Sequence, residues 1–563
     1  MSDEIEVLIV GAGPVGLSGA LALGRAGIRT LVLERRGEFS RYPKANGVHA
    51  RTMEIFREWG VAQGITDMTG HIPEGVVIAW RTRLNGFEFG EISLGQSEET
   101  LRLLSLLSPE QLSVAGQHMF EPLLAKAAGE MDAVTIRLGA EVVSLAVGDG
   151  KVTADYIESG GTRRTVTAQY VIGADGVRSI ARRTLGIGEH GQESLGTAIN
   201  VQFDADLDRY LAERIIPIIW IANKDTQGAF IRDSPTRWRY NFDMPPGADP
   251  ESVTQERCEQ EIIQAIGEEV PVKFHYMWSW THDLAVAGTW RQGRAFLAGD
   301  SAHHFPPHGG FGLNSGVQDI HNLAWKLIAR LRWSAGDRLL DSYQAERIGV
   351  AEANGELCMN NTRAMEKTGF LTQDTSFLAA IEAETEEGER ARKSITDGIS
   401  GQQDVLANHG HQFGFQYDST AVVPDGSQIV ASTVAEYRPT ARPGARAPHS
   451  WVMWQGRQIS TIDVYDGGFI LLTGPDGTGW LDAAARIGGD LGLPLTSFAL
   501  GRDLAPVDEP VCDLLGRYGL QPAGALLIRP DGYVGFRSAA RSDDEYARLR
   551  GALSQILDLA EAT

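Results

Sequence analysis

The chain has 563 residues, 43% hydrophobic and 22% charged, which is a globular composition too long for a single core. Its formal charge of −22, from 51 Lys and Arg against 73 Asp and Glu, argues against nucleic acid or an anionic membrane surface as the main partner. Apolar runs stop short of the roughly 20 residues of a bilayer span. The stretch Met1 to Glu6 is acidic where a signal peptide is basic, and Cys258, Cys358 and Cys512 are too scattered for a disulfide framework, a cysteine zinc site or a dithiol centre. A cytoplasmic protein is expected.

In chain order, Ile5 to Val10 is a β-branched run leading into Gly11-Ala12-Gly13-Pro14-Val15-Gly16. A helix over Leu17 to Arg25 and a strand over Arg29 to Glu34 follow, so the protein opens on a β-α-β unit. Strands are expected at 142–147, 152–157 and 170–173, the last running into Ala174-Asp175-Gly176. From about 197 to 285 the texture changes to alternating, Trp- and Tyr-rich runs (215–221, 238–244, 274–280), the pattern of an antiparallel sheet. Nucleotide-domain texture returns at Ala295 to Asp300, and long helices follow over 315–331 and 339–357. The expected domains are 1–180 and 286–420 for a nucleotide-binding domain in two parts, with 181–285 inserted between them as a substrate domain. Residues 421–449, with scattered Pro and Gly, read as a linker, and 450–563 as a small α/β domain.

Gly11-x-Gly13-x-x-Gly16 stands between a strand and a helix, the context in which this pattern carries meaning. Gly11 permits the tight turn, Gly13 lets backbone approach a pyrophosphate, and Gly16 allows close helix–strand packing. Ala12 and Pro14 complete the turn, whose helix offers free N–H groups and a positive dipole end to phosphates. Glu34, ending the next strand with Arg35 after it, suits ribose hydroxyls. The pattern by itself serves NAD or FAD equally.

Three later blocks resemble the FAD-binding aromatic hydroxylases, the group A flavoprotein monooxygenases that include p-hydroxybenzoate, phenol and polyketide hydroxylases. They are Gly173-Ala174-Asp175-Gly176-Val177-Arg178-Ser179, then Gly299-Asp300-Ser301-Ala302-His303, and then Pro306-Pro307-His308-Gly309-Gly310-Phe311-Gly312-Leu313-Asn314. The resemblance implies an α/β fold: a Rossmann-like FAD-binding domain, an inserted antiparallel-sheet substrate domain and a C-terminal thioredoxin-like domain. It implies that Asp175 and Gly176 serve FAD and nicotinamide binding, and that Gly299 and Asp300 serve the ribityl chain. The turn Gly310, Gly312, Leu313, Asn314 would face the flavin ring, where a helix N-terminus stabilises negative charge by roughly a kcal/mol or more. Arg51 matches a family arginine near the pyrophosphate and Gln117 a glutamine near the ribityl chain; a solvated or structural role is the alternative for each.

The implied reaction uses NADPH, or NADH, to reduce FAD, with dioxygen adding at flavin C4a before OH passes to a small aromatic, phenolic or polyketide substrate. Baeyer–Villiger or epoxidising chemistry on a polycyclic substrate, or a non-catalytic flavin-binding regulator, are the alternatives. The group that activates the substrate is open. Asn46 stands where phenol hydroxylases carry an acidic residue, and an amide cannot act as a base; His49 nearby titrates, although a packed histidine reads as well. Pro307 resembles a proline whose carbonyl approaches substrate and flavin. Tyr240, with Trp220, Trp238, Phe242, Trp278 and Trp280, forms either a substrate wall or the packed face of a sheet. Arg232 and Arg239 could serve an acidic group of the substrate, but they are expected at the surface. His303, His304 and His308 fall inside the flavin block, and no metal is expected. The C-terminal domain without a Cys-x-x-Cys pair has a structural or dimerising role as its simplest account, a homodimer being the assembly this allows.

Overall fold

In the run Ile5–Val10, five of six residues are buried, as in a parallel strand covered on both faces. In the computed structural model, which describes residues 5–560 apart from 42, 43, 71, 246, 368–371, 373, 401–407, 508 and 509, this run lies inside an eight-stranded sheet. The order is Arg291–Gln292, Ala295–Leu297, Arg163–Gly173, Ile5–Val10, Thr30–Glu34, Val134–Leu138, with the hairpin Ala140–Val147 and Val152–Glu158 joined to Arg163–Gly173. The four strands from Ala295–Leu297 to Thr30–Glu34 are parallel, Val10 lying opposite both Leu33 and Gly173. Their C-terminal ends therefore converge on one edge, where the loops after Val10, Glu34, Gly173 and Leu297 meet, the place at which open α/β sheets bind ligands. Helices Pro14–Arg25, Gln117–Gly129 and Phe311–Arg332 pack together against the sheet.

A second eight-stranded sheet runs His303–His304, Lys273–Ala287, Glu189–Asp204, Arg237–Asp243, Gln227–Arg232, Ile215–Ala222, Val76–Arg81, Glu88–Ser93. It is antiparallel except where Ile215–Ala222 meets Val76–Arg81. Alternation along Arg237–Asp243 sorts its side chains. Trp238, Tyr240 and Phe242 enter a core with Phe203, Phe230 and Ile262, the last from helix Gln255–Ile266, whereas Arg239 and Asn241 face the opposite side. This corrects the aromatic wall: Tyr240 is fully buried, its hydroxyl 2.8 Å from Thr226 Oγ1, so it belongs to the sheet core and not to a catalytic site. Arg239, expected at the surface, is 3% exposed.

The C-terminal region builds a three-stranded sheet and a four-stranded one, the latter in the order Leu495–Ala499, Phe469–Thr473, Ala525–Ile528, Val534–Ser538. Trp480, Phe469, Leu527 and Leu553 form a core that also takes in Trp325 and Ala329 of helix Phe311–Arg332. Residues 421–449 carry no helix or strand, yet Arg446 near their end is 2% exposed. Buried charge joins the regions: Glu346 accepts from Lys326 at 2.8 Å and Arg529 at 2.6 Å, and Glu54 is held by Arg51 and Arg446. Among the described residues no helix is long and apolar enough to cross a membrane, and the three cysteines are unpaired.

Candidate active site

The converging loops and the polar face of the second sheet enclose a cavity of about 1440 Å³, above the ~300–1,000 Å³ of a single-ligand pocket. One end is the glycine turn. A Cβ on Gly11, at φ +101°, would lie 2.4 Å from the Ala174 carbonyl oxygen, and one on Gly16 would lie 2.0 Å from that of Gly11. Both positions are closed to any side chain. Gly13 instead has open space where its Cβ would be, and it precedes Pro14 at the start of a 12-residue helix with no side-chain cap. Bare backbone N–H groups thus border the cavity where a phosphate would neutralise them. Glu34 is fixed there by the Ala12 and Arg36 amides, each donating at 2.9 Å.

Around this end the cavity is lined by Ala12, Pro14, Arg35, Arg36, Lys44, Gln117, Asp175, Gly176, Arg178, Arg183 and Asp300. Gln117 donates to Glu121 at 2.7 Å, and burial raises the Glu121 pKa. Asp175 accepts from Ser179 Oγ and the Ile180 amide, each at 2.6 Å, and from the Ala181 amide at 3.1 Å. It therefore ties down the loop after Gly173 as well as bordering the cavity, and burial raises its pKa. Gly299 itself lies behind the wall, at φ +62°, where a Cβ would strike Val15 at 2.8 Å. Its neighbour Asp300 is exposed to the cavity.

The third element is the turn before helix Phe311–Arg332. Gly309 and Gly310 have φ of +117° and +70°, and the Gly310 amide donates to the Pro307 carbonyl at 3.0 Å. Pro307, His308, Gly310, Gly312 and Leu313 line the cavity. Asn314 does not: buried behind the turn, it accepts from the His49 amide at 2.8 Å and donates to the Gly47 and Gly310 carbonyls at 3.1 and 2.6 Å. It clamps two loops and reaches a cofactor only through them. His49 Nε2 lies 3.0 Å from the Gly309 carbonyl oxygen, so this nitrogen carries the proton. Desolvation pushes the His49 pKa down to about 4, leaving the ring neutral and a weak base near pH 7.

Arg51 is a further correction. Its guanidinium donates to Glu54 at 2.9 Å and to the Asp531 carbonyl at 3.1 Å, and lies 5.8 Å from the Tyr533 ring centroid. Ala50 lines the cavity; Arg51, about 100° further round the helix, faces the C-terminal region. The neighbouring cation that does border the cradle is Lys44, its pKa lowered by desolvation and by Arg36. Sequence reasoning passed over it because a lone lysine in an irregular segment carries no pattern.

Away from the glycines the wall is aromatic: Trp80, Trp220, Trp278 and Trp280 line it. Polar groups among them lack partners, including Gln96 Oε1, His118 Nδ1, Asn241 Oδ1 and Trp280 Nε1, all buried. Buried polar atoms without partners are costly, and a polar ligand would satisfy them. Asn46 accepts from Arg239 at 2.8 Å, and Arg239 is paired with Asp233 at 2.8 Å. His303 is committed to Asp319 at 2.6 Å and His308 to Thr362 at 2.9 Å.

The cradle, the capping-free helix start and the carboxylates Glu34 and Asp300 fit a flavin dinucleotide, and the remaining volume leaves room for an aromatic ligand. Residues 4–357 match a family model described as FAD binding domain, and residues 440–560 one described as aromatic-ring hydroxylase, C-terminal. The tetracenomycin B2 monooxygenase-dioxygenase of Streptomyces olivaceus is 35% identical, over 98% of this chain and 99% of that one. The 2,4-dichlorophenol 6-monooxygenase of Delftia acidovorans is 30% identical, over 99% and 98%. Among solved structures, the flavin-dependent monooxygenase PieE in complex with FAD and substrate has a TM-score of 0.89 at 32% identity, covering 99% of each chain. A ternary complex of aklavinone-11 hydroxylase with FAD and aklavinone gives 0.84 at 32% identity, over 99% and 100%.

Proposed function

The chain belongs to the FAD-binding aromatic-ring hydroxylases, and from that premise we propose that it hydroxylates a phenolic or aromatic polyketide substrate with dioxygen and electrons from NADPH or NADH. The observation that carries this reading is one continuous cavity running from the Gly11–Gly16 turn, past Pro307–Leu313, to a wall of four tryptophans. Bound FAD supplies the redox chemistry and the activation of oxygen.

The protein's part is to bind, orient and exclude water. The amides at the start of helix Pro14–Arg25 and Lys44 would hold the pyrophosphate, with Glu34 at the ribose and Asp300 and Gln117 along the ribityl chain. The 22-residue helix Phe311–Arg332 follows Gly310 without a side-chain cap, so its positive end would stabilise negative charge on a flavin ring held in the cavity. His49 and Asn314 brace that start. Trp80, Trp220, Trp278 and Trp280 give a planar substrate an apolar slot and keep bulk water from the reacting atoms.

Purified holoenzyme is to be assayed for NADPH and NADH oxidation under air with a panel of phenols and naphthacene-type polyketides. Substrate-stimulated oxidation, coupled to a product one oxygen heavier, is expected. Flavin that stays oxidised under anaerobic NADPH and NADH would defeat the reading.

A further inference from the structure

Arginine carries five N–H donors and no acceptor. Arg239 Nη2 lies 2.8 Å from the Asn46 amide, so the atom facing it is the oxygen, and the Asn46 NH₂ group must face away. Arg239 cannot swing aside. Asp233 accepts from its Nε at 2.9 and 3.1 Å and is itself held by Gln202 at 3.0 Å, and the Arg239 and Asp233 side chains are only 4% and 11% exposed. Among the described residues none accepts from Asn46 Nδ2, and Asn46 borders the cavity on the side of the aromatic wall. Other charged or titratable groups lining the cavity from the elements around it include Lys44 and His49 in its own segment, His118 and Glu121 on helix Gln117–Gly129 and Arg232 on strand Gln227–Arg232. His49 is engaged through Nε2 by Gly309, its neutral Nδ1 is buried without a partner among the described residues, and the Arg239 charge is already neutralised by Asp233.

We infer that Asn46, with its amide turned by the Arg239–Asp233 pair, donates a hydrogen bond to a substrate oxygen that can only accept, either an ionised phenolate or an aromatic ketone carbonyl. The inference rests on the hydroxylase reading for the identity of the cavity's ligand, and it names the chemical form that is selected. At this position the protein takes no proton from the substrate. A phenol must arrive ionised, or lose its proton to water, and Asn46 then favours the anion. Asn46 is thus a specificity residue, and Arg239 with Asp233 positions it.

The test uses the FAD-loaded protein and three probes. They are 2,4,6-trichlorophenol, whose ionised form absorbs at longer wavelength; 2,4,6-trichloroanisole, which has its shape but cannot ionise; and 9-fluorenone, a carbonyl without a phenol. Binding is followed by flavin fluorescence, and ionisation of the bound phenol by its absorbance against pH. The wild type is expected to hold trichlorophenol ionised at a lower pH than free solution does. Asn46→Leu should weaken the phenolate or the ketone roughly five- to tenfold, the size of one hydrogen bond lost, with trichloroanisole unmoved. An effect on the phenol alone assigns the oxygen as phenolate, and one on fluorenone alone as carbonyl. Asn46→Asp should weaken the phenolate further and raise its bound pKa, because a carboxylate repels it. The double change Asp233→Asn with Arg239→Gln, which leaves no buried charge unpaired, should shrink the phenolate's spectral shift while flavin content and melting temperature hold. Wild-type binding of both oxygen probes by Asn46→Leu overturns the inference, as does equal weakening of trichloroanisole. If no aromatic is turned over but Asn46→Leu still separates the probes, the hydroxylase reading falls and the donor role stands. If product forms while Asn46→Leu binds as wild type does, only the donor role falls.

Discussion

At the residue scale, His49 shows how burial changes what a titratable side chain can do. Its ring is enclosed, Nε2 is engaged by Gly309, and desolvation takes its pKa from an ordinary 6.5 to about 4. The unfolded chain binds a proton in that interval and the folded chain does not, so stability is complete above about pH 6.5. It declines as pH falls towards 4, by up to about 3 kcal/mol for one such group. His308 and His411, whose burial brings each to about 4, act in the same direction. In His49→Gln the amide can still donate to Gly309, but there is nothing to titrate. Its melting temperature should therefore fall less than the wild type's between pH 6.5 and 4.5. Parallel melting curves for the two proteins across that range would mean that His49 is not buried as a neutral ring.

At the element scale, helix Ala50–Glu58 divides its duties by face. Ala50 borders the cavity, while Arg51 and Glu54 turn towards the C-terminal region. Glu54 is 0% exposed and is held by Arg51, Arg446 and Ser108 Oγ. Glu54 is shared by two buried guanidiniums, so removing it leaves both desolvated charges without their carboxylate. Glu54→Gln should cost about 3–5 kcal/mol, read as a lowered midpoint in denaturant. Joining it to Arg446→Met should cost less than the sum of the two, since one of the orphaned guanidiniums is gone. A single change as stable as the wild type would show the pair to be energetically idle. The same logic separates Tyr240 from Arg239 one step along a strand: alternation alone sends one to the core and the other to the cavity wall.

At the scale of the whole molecule, the C-terminal region is fastened to the nucleotide domain by both apolar packing and buried charge. Trp325 joins its core, and Arg529 reaches Glu346 at 2.6 Å. The intact protein should therefore unfold in one transition, with tryptophan emission and flavin release coinciding on a temperature scan. Truncation after residue 439 removes Arg446 and Arg529, leaving Glu54 and Glu346 short of partners. The shortened chain should lose both cooperative melting and bound flavin. A truncated protein that keeps its flavin and melts sharply would show that the region is an appendage.

Much of the fold and of the cofactor end of the cavity was legible in the residue order, because short-range rules govern both. A β-branched run followed by Gly11, Gly13 and Gly16 forces a strand, a tight turn and a helix, and parallel pairing then brings the loops after Val10, Glu34, Gly173 and Leu297 to one edge. Asp175, Asp300 and Pro307–Leu313 came with their motifs and line the cavity. Arg51, Asn314 and Gly299 came with motifs too, but they point behind the wall, since a motif marks a segment and not the direction of each side chain. The tryptophan-lined end of the cavity was not legible. Asn46 meets Arg239 across 193 positions, and they are joined by Asn241 from Arg239's own strand, Trp80 from strand Val76–Arg81 and Gln96 from the loop after Glu88–Ser93. The sequence by itself determined the nucleotide cradle, whose chemistry is backbone and local. Only the tertiary structure decided which way Asn46 turns, because that depends on a guanidinium brought to its loop from the second sheet.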